Sequence, residues 1–125
     1  MYTIADPISF IQKLGLHDVA LSKIDFDIQG MTFSLWTDDL NANWEGLPEY
    51  EGRRACRLIF FGVAGVSLHI APTDGVRVGY EVIKATGTGY EIQLVVSQAR
   101  SPIEPDRFGS VIVAFQSLGI VDEPL

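Results

Sequence analysis

Cysteine is nearly absent from this chain, with Cys56 standing alone among 125 residues. A lone thiol excludes an intrachain disulfide and a cysteine-based structural zinc site, and it suits a reducing compartment. Histidine is almost as scarce, and His17 and His69 alone cannot form a three-histidine zinc centre. Long apolar runs are missing too. The longest, Leu58 to Val66 with its glycines counted, falls far short of the roughly 20 residues that a bilayer-spanning helix requires. Met1 to Pro7 has no basic leader or extended apolar core, so no export signal is read there and the cytoplasm is the expected location.

Positive charge is the other deficit. Nine Lys and Arg against sixteen Asp and Glu leave a net charge of −7. The resulting field repels phosphate backbones and anionic bilayers, which argues against nucleic-acid and membrane partners. A basic protein surface is the electrostatically favoured partner, although an acidic balance is also ordinary for a soluble domain. An apolar content of 47% is enough for a core, and the length fits one domain over residues 1–125.

Asp6-Pro7 is a helix-start signal, because the carboxylate can accept from first-turn amides and proline is pre-set for the first helical position. Ile8, Ile11 and Leu14 then recur at helical spacing, and Gly15 can close the turn, so a helix is predicted over 7–14. Beyond it the period becomes two. Ile24, Phe26 and Ile28 alternate with Lys23, Asp25 and Asp27, and Gln29-Gly30 offers a turn with glycine at positive φ. A second strand follows through Phe33 and Leu35.

Further strands are predicted over 54–61, which should be central, and along Val66, Leu68 and Ile70. Val76, Val78, Tyr80 and Val82 form one face of the next, joined through 85–89 to a strand through Tyr90, Ile92, Leu94 and Val96. Gly109 to Gln116 is the last, and 117–125 is left unassigned. Turns are expected at Pro72–Gly75 and Ser101–Asp106. The fold class is therefore α+β, mainly antiparallel: about seven strands in a curled or folded sheet with one short N-terminal helix. Val95, Ile112, Ile83 and Phe61 lie opposite the main apolar rows, so this second apolar surface must be buried by the chain's own curvature or by another chain, and self-association as a homo-oligomer is expected.

Residues 38–53 follow neither period and collect acids, amides, glycines and a proline. A loop of this length is the first place to look for function. Asp39, Asn41, Asn43 and Glu45 offer oxygens at alternate positions, as calcium loops do, but Trp44 replaces the required glycine and Tyr50 the closing glutamate. The four side chains are instead expected to be solvated. Trp44 and Tyr50, like Trp36, either present aromatic surface to a basic partner or pin the loop to the sheet. The candidate partner-binding residues are Asp38, Asp39, Trp44, Glu45, Glu49, Tyr50 and Glu51.

Other constellations are incomplete. His17 and Asp18 are adjacent, so on an extended chain they point apart, and a turn role is expected. Cys56 has arginines nearby but no base in sequence, and reads as a buried hydrophobe. Gly87-x-Gly89 lacks the third glycine and the strand-to-helix context of a dinucleotide loop, so no cofactor, metal site or catalytic set is assigned.

Leu16-His17-Asp18 before an alternating strand, the acidic middle loop, Leu58 to Val63, and Leu68 together resemble small β-rich bacterial proteins of uncharacterised or immunity-protein type. The resemblance covers about half the chain and implies an acidic surface that neutralises a toxin, with no residue assigned. Together these readings favour a non-enzymatic protein-binding module. The alternative is a small-molecule-binding protein or enzyme whose pocket is assembled from distant residues.

Overall fold

The computed structural model describes residues 1–71, 75–98 and 107–122. Pro72, Thr73 and Asp74 of the expected turn, the expected loop at 101–106 and residues 123–125 lie outside them. The chain runs β1 (Tyr2–Ile4), α1 (Pro7–Leu14), β2 (Leu21–Asp27), β3 (Thr32–Thr37), a 3₁₀ turn (Ala42–Trp44), β4 (Cys56–Phe61), β5 (Gly65–His69), β6 (Val76–Ala85), β7 (Tyr90–Gln98), β8 (Arg107–Phe115) and β9 (Ser117–Asp122).

The strands form two antiparallel sheets, β1-β9-β4-β3-β2 and β5-β8-β7-β6. Nine strands among the described residues correct the expected seven, and two sheets correct the single one. The additions are β1, whose three residues are too few to show a period, and β9, where Gly119 leaves no side chain between Leu118 and Ile120. β4 is central, as its apolar run implies.

Helix α1 forms as its ends dictate. Asp6 accepts from the Ser9 amide at 3.2 Å and the Ser9 hydroxyl at 2.9 Å, which holds its carboxyl below the usual range. Gly15, at φ 67°, closes the other end with its amide on the Ile11 carbonyl. Ile11 is fully buried, and Leu16 and Val19 join it in the core.

Two successive ladders link the sheets. β4 pairs with β9 from Cys56↔Asp122 to Phe61↔Ser117, and β5 pairs with β8 from Gly65↔Ala114 to His69↔Ser110. Between them the Gln116 amide donates to the Phe61 carbonyl and the Ala64 amide to that of Ala114. β4–β5 and β8–β9 are thus two long strands that bend together from one sheet into the other. Gly62 makes the corner at φ 62°, and a Cβ there would sit 3.0 Å from the Gln116 Cβ.

The bend turns the two apolar faces toward one core. Phe33, Leu35, Leu58, Phe60, Leu118 and Ile120 from one sheet join Ile92, Leu94, Val96, Val111, Val113 and Phe115 from the other. Phe60 and Phe115 meet edge-on across the sheets with ring centroids 4.8 Å apart. The sheets therefore cover each other, and α1 closes a side of the core through Ile11.

Three local expectations change. A bulge between Val78 and Tyr80 reverses the phase of β6, so Tyr80 and Val82 are exposed while Ile83 enters the core. Ile28 lies in the β2–β3 turn, exposed. In that turn Met31, at φ 55°, takes the left-handed position instead of Gly30, whose amide binds Asp27 Oδ1 at 2.9 Å. The Met31 carbonyl accepts from Val63 at the corner, which holds the turn in place.

Replacing Phe60 by Ala empties the contact between the sheets and should cost about 3–5 kcal/mol, whereas Gly62→Ala, strained at positive φ, should cost about 1–2 kcal/mol. Urea denaturation midpoints of the two variants measure both values.

Candidate functional site

The 38–53 loop leaves β3 and returns to β4 through a closed neck. Leu40 is fully buried and its amide donates to the Arg54 carbonyl at 2.7 Å. Thr37, also buried, accepts from the Asp39 amide at 3.2 Å. Asp39 is the hub. Its Oδ1 accepts from the amides of Asn41 at 2.9 Å and Arg54 at 3.1 Å, and its Oδ2 from the Tyr50 hydroxyl at 2.8 Å. One carboxylate thereby ties the start, middle and end of the loop together.

The remaining frame is built from amide and indole donors. Asn41 Nδ2 donates to the Gly52 carbonyl at 2.8 Å. Trp44 Nε1 donates to the Leu14 carbonyl at 2.8 Å, and Asn43 Nδ2 to the same oxygen at 3.4 Å. Leu14 ends α1, so the loop satisfies a carbonyl that the helix leaves without an internal partner. Arg53 clamps Asp38 from outside, Nη2 to Oδ2 at 3.0 Å.

These contacts divide the candidate residues. Asp38, Asp39, Trp44 and Tyr50 are engaged in the frame, whereas Glu45, Glu49 and Glu51 are exposed and their carboxylates make no hydrogen bond or ion pair with described residues. The expected exposure holds for Asn43 and Glu45 but not for Asp39 and Asn41, which are half-buried by their contacts with the loop backbone. The side chains at alternate positions diverge, Asp39 Oδ2 accepting from Tyr50 while the Asn41 and Asn43 amide nitrogens donate to Gly52 and Leu14, and no three His, Cys, Asp or Glu side chains among the described residues group as a metal shell would.

Two hollows flank the loop. One, of about 430 Å³, lies against α1 and is lined by Phe10, Lys13, Trp44, Glu49, Glu51 and Arg54. The other, of about 230 Å³, holds Asp38, Glu45 and Tyr50 with Asp18, Arg53 and Arg77. The contributions of Phe10, Lys13 and the arginines were hidden in the sequence. The adjacency of Arg53 and Arg54 to the acidic run was the signal that part of its charge is neutralised internally.

Arg54 leads away from the loop. Its Nε meets Asp122 Oδ1 at 2.8 Å and its Nη2 donates to the Tyr2 hydroxyl. These bonds raise its pKa and lower that of Asp122, so the pair's contribution is present above the ordinary carboxylate range and is lost as pH falls through the lowered value. His17 Nδ1 and Asp18 Oδ2 approach to 3.1 Å, because Asp18 adopts φ 69° in a turn where an extended chain would separate them. Both are exposed, whereas Cys56 is buried.

No family model, curated protein or solved structure matches the chain. Among the described residues no helix is long and apolar enough to cross a membrane.

The bond to Asp39 is the main cause that raises the Tyr50 phenol above its ordinary value, with burial adding to it. A phenol shifted upward is a poor base or nucleophile near neutral pH. Its contribution to folding is complete below about pH 10 and disappears as pH rises through the elevated value. Ultraviolet titration should therefore show a late-titrating component that Tyr50→Phe removes and Asp39→Asn brings down. Asp39→Ala, which strands two loop amides, should cost about 2 kcal/mol in chemical denaturation.

Proposed function

We propose that the chain is a non-enzymatic protein-binding module whose 38–53 loop docks a basic partner. The carrying observation is the division of the acids. The loop's inward groups bind one another, and this leaves Glu45, Glu49 and Glu51 outward on a pre-ordered backbone. Binding there orders little that is loose, so favourable charge contacts are offset less by entropy. The net charge of −7 adds long-range attraction for a cationic surface. A basic toxin held by an immunity-type module is one partner of this kind, and a reducing cytoplasm suits the single buried thiol. Self-association belongs elsewhere on the surface, away from these carboxylates.

A second reading has its own support. The hollow of about 430 Å³ beside Trp44 and Phe10 falls in the size range of small-ligand sites. A small molecule carrying an ammonium group would meet Glu49 and Glu51 there.

Calorimetric titration with a peptide rich in lysine and arginine tests the first reading. Affinity should fall as salt rises, and joint replacement of Glu45, Glu49 and Glu51 by Gln should weaken binding by about tenfold or more with the fold intact. Equal binding by the triple variant, or binding indifferent to salt, refutes the loop's role and shifts weight to the hollow.

A further inference from the structure

β2 ends the five-stranded sheet, and among the described residues no strand is paired along its outer side, although β6 bridges the chain just before it at Ala20 and Arg77. Against this edge lies a hollow of about 290 Å³ with apolar walls from Leu21, Ile24, Leu68, Ile70 and Val76. Phe26, 43% exposed, stands on the same face of β2, at the outer end of a file of rings that passes through Phe33 and Phe60. On the opposite face of β2, Lys23 and Asp25 project beside Trp36 and Ser34 of β3.

We propose that β2 pairs antiparallel with β2 of a second copy about a two-fold axis at Ile24, joining two five-stranded sheets edge to edge. The order of charges selects this register. Centring on Ile24 sets Lys23 against the partner's Asp25 and Asp25 against the partner's Lys23, so every opposed charge attracts. Centring on Asp25 pairs Lys23 with the partner's Asp27 but sets Asp25 against the partner's Asp25 between them, and centring on Lys23 opposes two lysines. A half-step shift would place charged side chains on the apolar face.

The apolar face agrees with the same register. Phe26 falls beside the partner's Ile24, at the mouth of the partner's hollow, and the symmetry repeats the contact. Charged edge residues commonly protect a strand from pairing. Here their alternation in sign makes the edge complementary to itself.

Sedimentation of the full chain over rising concentration, with circular dichroism as a check of folding, tests the pairing. The wild type should dimerise, while Lys23→Asp and Asp25→Lys should each weaken the dimer by about tenfold or more. Combining the two exchanges the charges and should restore dissociation to within about threefold of wild type. Phe26→Ser, which leaves the charges unchanged, should also weaken it by about tenfold. A monomeric wild type, single variants that dimerise as well as wild type, a double variant as weak as the singles, or an unaffected Phe26→Ser would each overturn the proposal.

Discussion

The corner at Gly62 and Gln116, where two paired strands bend together from one sheet into the other, is the constraint on which the rest of the structure depends. Because β4–β5 and β8–β9 turn together, the inner faces of both sheets are brought to a common core, with two backbone hydrogen bonds carrying the pairing across the break at the corner. Phe60 and Phe115 fill the inside of that bend. The β2–β3 hairpin is anchored to it through Met31 and Val63, and α1 reaches the other sheet through Leu16, whose amide donates to Glu81 at 3.1 Å. Residues 18–20 then run beside β6, with amide contacts between Asp18, Val19 and Val78, before the chain joins the first sheet as β2.

The acidic loop extends this framework. Its neck is fixed by buried Leu40 and Thr37, its interior by Asp39, and its far side by Trp44 on the end of α1. Buried or half-buried polar groups that lack partners are costly, so a carboxylate at such a neck must collect donors. Asp39 does so and is therefore unavailable to a ligand. The outward glutamates bear no such duty, and that separation makes a binding role for this loop physically coherent.

Much of this was legible in the sequence, and the failures have identifiable causes. Asp6, Pro7 and Gly15 set the helix because capping is local chemistry. Alternation located seven strands because a half-buried strand must alternate. It could not reveal the bulge at Val78–Tyr80, which reverses the face of Tyr80 and Val82, nor the corner at Gly62, since both depend on a partner strand. β9 escaped notice because Gly119 interrupts Leu118 and Ile120 with no side chain. Composition marked the 38–53 loop as the candidate site. It could not separate Asp39 from Glu45, because identical chemistry at neighbouring positions is divided only by which donors the fold brings near.

The central claim is that this loop is a fixed part of the fold, with its frame closed by Asp39. Amide hydrogen exchange at Asn41 and Arg54, the two backbone donors to that carboxylate, tests it most directly. Both amides should exchange slower than an unstructured chain by on the order of a hundredfold or more, with protection lost together in Asp39→Ala. Exchange of either amide at the unstructured rate in the wild type would contradict the account.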